Sequence, residues 1–599
     1  MSDPMRRASA QSPNPSGGRW LIAAVPAAAA WGAPALSAKV WSSSGWNPAT
    51  HVKTMIASYA HLMHPELIAG SGHHGRAFGV TVIGELAATF AGGVYATVWW
   101  SRRRAGERRG LAYGSHLNRF SRRAILKRAK VILGVDDRDP RHSGLLLGVE
   151  RYSKRQIWLS KEWTILVLAP PRSGKTSGTV APAVVDHYGP VVATGVRNDI
   201  MNWTWPWRSL TGGPMWLCEP LRDDIDALPA GVRQVRWSPL QGCHDLATAK
   251  LRAEALFSAL PKGGGNDEFW RTAGTALLAG YLMSAARHGG RISDVVEWID
   301  RDTDESPVVA LERVATELAT VGQHTEAAEL RGVARQLSAA IAQDPRYRAG
   351  VTGQAVQAIE PFRLPKVLQM CDVSIEESFD PETFLREAGT IWMLGSESHQ
   401  RLAAGVLSAM TAAIVDAARS LARRCPHGRL ELPLLLALDE AVNTAPIPHL
   451  DQLLSTGGGS GIQTIVVLQS LAAARNVWGK EMADALMDFN NVKVVLGGLS
   501  DAGDLQDLST LLGQRDEVIV QASRSGATGV LGVGDHSWSW REVPVMRPSD
   551  IREIDSETHG EALVIARSTK GIIVRQDRIF NRPKPGAVAR RQRAVSSGR

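Results

Sequence analysis

At 599 residues the chain is too long for one compact domain, and length suggests two to four units. A net charge of +9, with arginine clusters near the start and at the extreme end, favours an anionic partner, either nucleic acid or the anionic face of a membrane. The four cysteines (Cys218, Cys243, Cys371, Cys425) have no Cys-x-x-Cys spacing, which argues against a zinc ribbon or disulfide framework and for a reducing compartment.

Residues 1–18 are rich in Ser, Pro and Gly and read as a disordered tail. Residues 19–101 carry two membrane-length apolar stretches. Trp20 to Ala38 is interrupted by Pro26 and Pro34, and Ala77 to Trp100 contains one charge, Glu85. Trp99-Trp100 followed by Arg102-Arg103-Arg104 marks an interface whose C-terminal side faces the cytoplasm. The expected topology is a two-helix anchor in the cytoplasmic membrane with both termini inside. The alternative reads the first stretch as a signal peptide cleaved near Ala35-Leu36-Ser37, which still leaves everything after residue 101 cytoplasmic. Residues 102–143 form a basic juxtamembrane segment, through Arg119, Arg122, Arg123, Lys127, Arg128 and Lys130, suited to lipid headgroups.

Strand patterns resume at about Gly144, opening the first part of a nucleotide-binding domain, 144–244. The apolar run Trp163 to Leu168 leads into Ala169-Pro170-Pro171-Arg172-Ser173-Gly174-Lys175-Thr176, as a phosphate-binding loop follows its strand. In such a loop backbone N–H groups wrap the phosphates, a lysine neutralises the outer ones and a hydroxyl at the helix start holds magnesium. Arg172, Ser173, Gly174, Lys175, Thr176 and Ser177 are therefore the expected ATP-binding residues, with Ala169 standing where the first glycine normally is. Gly174 to Val185 should be the following helix and Pro190 to Thr194 the next strand.

Residues 245–372 show helical periodicity nearly throughout, with Trp270, Ala273, Leu277, Leu278 and Tyr281 on one buried helix face. They read as an inserted all-helical domain. The second part, 373–580, alternates again: a strand around Thr390 to Leu394, a helix Gln400 to Ala422, and an apolar strand Leu432 to Leu438 closed by Asp439-Glu440. Strands at Ile462 to Leu468, ending at Gln469, and at Lys493 to Leu496 come next. At such a strand end the first carboxylate suits magnesium and the second suits polarising the attacking water. The expected fold is α/β, a mostly parallel sheet carrying the phosphate loop, with an inserted all-helical domain and two N-terminal transmembrane helices. Residues 581–599 read as a basic disordered tail.

The ordered set of two spans, phosphate loop, helical insertion, Asp-Glu strand and Gln strand resembles the type IV secretion coupling proteins, the TraG/TraD-like conjugative DNA-transfer ATPases. Local wording agrees at Arg236-Trp237-Ser238-Pro239-Leu240, Phe269-Trp270, Asp439-Glu440-Ala441, Gln469-Ser470 and Asn490 to Gly498. The resemblance covers about residues 80 to 575. It implies a P-loop RecA/FtsK-like fold and a membrane-anchored homohexameric motor that drives relaxase-bound single-stranded DNA toward a type IV secretion channel. It also implies that Lys175 and Thr176 bind phosphate and Mg2+, that Asp439 holds the metal, that Glu440 activates water and that Gln469 senses the γ-phosphate. Export of protein effectors by the same motor, and a nucleotide-gated scaffold with little turnover, are the alternatives. Two departures stand out. The turn Thr456-Gly457-Gly458-Gly459-Ser460-Gly461 lacks the arginine that many relatives carry, with Arg475 and Arg515 nearby in sequence, and Arg197-Asn198-Asp199 has arginine where relatives often have lysine.

Overall fold

The computed structural model describes residues 91–95, 110–133, 138–222, 228–260, 267–395, 400–523, 535–583 and 585–586. The two expected membrane stretches lie outside the described residues, apart from the helical 91–95. The chain divides into two units after Arg108, and the second, Arg109–Arg599, carries every described strand.

Fourteen strands are described: β1 (Gly144–Glu150), β2 (Gln156–Ser160), β3 (Ile165–Leu168), β4 (Val191–Gly195), β5 (Met215–Cys218), β6 (Val232–Gln234) and β7 (Thr390–Leu394), then β8 (Leu434–Leu438), β9 (Ile462–Leu468), β10 (Val492–Leu496), β11 (Gln514–Ser523), β12 (Asp535–Pro544), β13 (Glu561–Ala566) and β14 (Ile572–Gln576). Twelve form one sheet in the order β2-β1-β14-β13-β10-β3-β9-β8-β4-β7-β5-β6. From β10 to β6 every neighbouring pair is parallel, whereas β2, β1, β14 and β13 make an antiparallel wing beside β10. The α/β, mostly parallel expectation therefore holds, with the wing as an addition.

The central strands are buried on both faces, as helix-covered parallel sheets require. Leu166, Leu168, Leu436, Leu438, Val466 and Leu468 join one core, while Ile165, Val167, Leu435, Ala437, Ile465 and Val467 join the other. Alternate residues thus serve opposite faces, which explains why these strands read as unbroken apolar runs. Three of the four cysteines are buried and all four are free thiols.

Between β6 and β7 the described regular elements are all helical, from Leu246–Phe257 through Asp267–His288 to Pro381–Arg386. Leu277, Leu278 and Tyr281 are buried as the periodicity predicts, with Trp270 and Ala273 packed partly buried beside them. This helical stretch shares a core with the sheet rather than closing on its own. Arg252 donates to the Ala409 carbonyl at 2.9 Å, and the Ser258 and Ser408 hydroxyls lie 2.7 Å apart. Ala409 and Ser408 belong to the helix Gln400–Arg424. Among the described residues its Leu402–Arg424 portion alone is long and apolar enough to cross a membrane, but it is mostly buried in the protein, as a core helix is.

Two local expectations change. Instead of one α-helix over 174–185, a π-helical turn Thr176–Val180 precedes the α-helix Ala181–Asp186. Pro182 has no N–H to give the α ladder, and Ala181 N–H reaches back to the Thr176 carbonyl. The ordered chain also runs past residue 580: Arg582 makes a two-pronged ion pair with Asp186, 2.9 Å on each prong.

One buried cation carries a measurable cost. Lys161, just past β2, is 3% exposed, and burial, opposed by the Asp186 charge, pushes its ammonium down to about 7. Because the folded value lies below the unfolded value of about 10.4, the cost is fullest below pH 7 and fades as pH rises from there toward 10. Lys161→Met is therefore expected to raise the melting temperature by roughly a few degrees at pH 6 and by less at pH 9, checked by thermal melts at both pH values.

Candidate functional site

The C-terminal ends of β3, β9 and β8, adjacent parallel strands, open on one edge of the sheet. Such an edge gathers side chains from several strand ends and is where open α/β sheets bind ligands. β3 delivers the loop 169–176, β8 delivers Asp439 and Glu440, and β9 delivers Gln469.

The loop's backbone explains its sequence. The left-handed conformations fall at Arg172 (φ +64°) and Gly174 (φ +86°) and not at Ala169, which is buried and donates its N–H to the Leu468 carbonyl at 3.0 Å. An alanine is therefore tolerated where the usual pattern has glycine, while Gly174 is needed where it stands. Ser173 Oγ closes the turn onto the Pro170 carbonyl at 2.8 Å, and Ser177 Oγ donates to the Gly174 carbonyl at 3.2 Å. Arg172 is exposed at the loop tip.

The expected residues converge. Lys175 Nζ lies 2.9 Å from Glu440 Oε1 and 3.7 Å from Asp439 Oδ1. Thr176 Oγ1 donates to Asp439 Oδ2 at 2.5 Å, and Gln469 Nε2 donates to Glu440 Oε1 at 2.8 Å. Glu440 holds a left-handed backbone (φ +55°, ψ +46°), an uncommon conformation for a residue with a side chain and of the kind that clusters at functional sites. Thr194 of β4, which no sequence pattern marks, fixes the Asp439 carbonyl with a 2.9 Å hydrogen bond.

Asp439 is buried, and burial foremost raises its carboxyl above the usual range, with the Lys175 charge pulling the other way. Its Oδ1 has no hydrogen-bond partner. An orphaned buried carboxylate oxygen, with a threonine hydroxyl on its other oxygen, matches the oxygen donor set a magnesium ion takes.

The departures also have a geometry. A Cβ on Gly458 would lie 2.3 Å from the Glu162 carbonyl oxygen, so no side chain fits there without moving that backbone. Arg475 is engaged by Asp504 at 3.3 Å and Asp484 at 3.7 Å, and Arg515 by Glu517 at 3.5 Å. Arg197 is largely exposed and lies 3.8 Å from Asp199, a long ion pair.

Sheet order, glycine-bearing loop and acidic strand end define a P-loop α/β protein. The profile of the type IV secretory system conjugative DNA transfer family matches residues 115–598, and the chain belongs to that family. No curated protein matches it. Among solved structures it is similar to the bacterial conjugative coupling protein TrwBΔN70 in its unbound form, at 16% identity, covering 70% of this chain and 86% of that one with a TM-score of 0.47. TrwB in complex with ADP and Mg2+ is 16% identical, covering 72% and 89% with a TM-score of 0.44. VirB4 of Thermoanaerobacter pseudethanolicus is 15% identical, covering 73% and 96% with a TM-score of 0.37.

Proposed function

We propose that the protein is an ATP-hydrolysing motor of the cytoplasmic membrane. Its hexamer passes relaxase-bound single-stranded DNA to a type IV secretion channel, with residues 19–101 as anchor and 245–372 as a cytoplasmic helical domain. The observation that carries the enzymatic reading is the meeting of Lys175, Thr176, Asp439, Glu440 and Gln469 within hydrogen-bond or ion-pair distance.

In this reading the loop's N–H groups and the Lys175 ammonium take the triphosphate of ATP, in place of the carboxylates that Lys175 now faces. Thr176 and Asp439 would hold Mg2+, which when bound draws charge from the phosphate oxygens. Glu440 then orients and polarises the attacking water from the strand end. Gln469, hydrogen-bonded to the same Glu440 oxygen, ties the position of that carboxylate to whatever fills the space beside it. DNA would be held through its backbone by basic surface rather than by base recognition.

The test is steady-state ATP hydrolysis by the full-length protein with and without single-stranded DNA. DNA-stimulated turnover that falls on the order of 10²-fold or more in Lys175→Ala is the expected result. ATP binding with no turnover in the unaltered protein would replace the motor by a nucleotide-gated scaffold.

A further inference from the structure

We propose that Arg578 is a second phosphate-binding cation of the ATP site, supplied by the same chain from beyond the last strand of the sheet. The proposal rests on the nucleotide reading above and adds a residue that no motif marks.

The sheet order brings it there. β13 is antiparallel to both β10 and β14, so β14 runs in the direction of β3, and the chain leaving β14 emerges at the edge that holds the phosphate loop. The segment after β14 then runs along the helix that follows that loop. Gln576 Nε2 donates to Thr179 Oγ1 at 2.6 Å, and Arg582 clamps Asp186. Between these anchors the Arg578 guanidinium lies over the bare Cα of Gly174. Its Nη2 is 3.3 Å, and its Cζ 3.7 Å, from where a Cβ would sit.

The guanidinium is braced but not neutralised. Nη2 donates to the carbonyls of Ser556 and, at 2.8 Å, Glu557. Ser556 is itself fixed to the end of β10 through the Gly497 N–H at 2.7 Å. Nε is buried with no partner and faces the Cα of Gly560, 3.0 Å from where a Cβ would sit, and among the described residues no carboxylate pairs with Arg578. Lys175, by contrast, already faces two carboxylates. With both Nη2 protons on the Ser556 and Glu557 carbonyls and Nε turned to Gly560, Nη1 is the nitrogen left to donate, and a planar cation held against the glycine that precedes Lys175 suits a phosphate oxygen shared by ATP and ADP.

The experiment compares the melting temperature of the full-length protein in detergent, with and without Mg·ATP, Mg·ADP or orthophosphate, with direct titration of both nucleotides. In Arg578→Gln the affinities for ATP and ADP are expected to fall together by about 10- to 100-fold, their ratio unchanged. The nucleotide-free melting temperature should stay near that of the unaltered protein, and Arg578→Lys should recover part of the loss. Unchanged affinities in Arg578→Gln would overturn the proposal. So would a lower nucleotide-free melting temperature with the nucleotide-induced rise intact, which marks a structural brace. Stabilisation by orthophosphate equal to that by ADP would assign the cation to free phosphate instead. Should Arg578→Gln fail to fold, Arg578→Lys decides: a smaller loss shared equally by ATP and ADP sustains the contact, and affinities that are unchanged or unequally altered refute it. An unaltered protein that binds neither nucleotide would sink the nucleotide reading itself, whatever the variants do.

Discussion

Glu440→Gln is expected to cut steady-state ATP turnover by roughly 10²- to 10⁴-fold while ATP binds as tightly as before or more tightly, the span usual for losing a positioned general base. The amide keeps an oxygen that can accept from Lys175 and Gln469, which now meet at Glu440 Oε1 at 2.9 and 2.8 Å, so the scaffold of the site survives. What disappears is the negative charge that the proposed mechanism uses to polarise water and that now faces the Lys175 ammonium. Binding and chemistry should therefore separate: the dissociation constant holds or falls while kcat collapses. Single-turnover hydrolysis alongside equilibrium titration reads both quantities. Turnover within about tenfold of the unaltered protein would remove Glu440 from the proposed mechanism.

The site was legible wherever function sits at the end of a doubly buried strand. β3, β8 and β9 are covered on both faces, so each appears as an apolar run, and the polar residues that close those runs, Lys175 with its loop, Asp439-Glu440 and Gln469, announce themselves. Of the antiparallel wing, β13 and β14 were not legible, nor was the hairpin β11–β12 outside it. β13 opens on Glu561, a buried carboxylate neutralised by Arg151 at 3.0 Å, so the strand begins with a charge that suggests a surface. The hairpin β11–β12 stands as a separate two-stranded ribbon with exposed residues such as Trp540, and it offers no doubly apolar pattern. Thr194 and Arg578 reach the site through sheet order, across 245 residues in the case of Thr194 and Asp439, and no local spacing encodes such a meeting. Gly458 shows the converse: the glycine run is plain in the sequence, yet the Glu162 backbone that bars a side chain at that one position is visible only in the fold.

Asp439→Asn should abolish magnesium-dependent turnover, on the order of 10²-fold or more, and yet leave the nucleotide-free protein as stable as before or more stable. The reason lies in the burial that raises the carboxyl's proton affinity. A carboxyl whose folded value lies above its unfolded value of 3.8 binds its proton more tightly when folded, so the ionised form carries a stability cost at every pH above the raised value. That cost vanishes as pH falls through the folded value and below 3.8. The melting-temperature difference between Asp439→Asn and the unaltered protein should therefore be largest near pH 7 to 8 and shrink toward pH 4. With nucleotide present the order reverses: ATP should raise the melting temperature of the unaltered protein more with Mg2+ than with EDTA, and that of the variant equally in both. A variant destabilised at pH 7 would show that the Thr176 hydroxyl and the Lys175 charge already outweigh the burial of the carboxylate, and that Asp439 holds the fold rather than waiting for a metal.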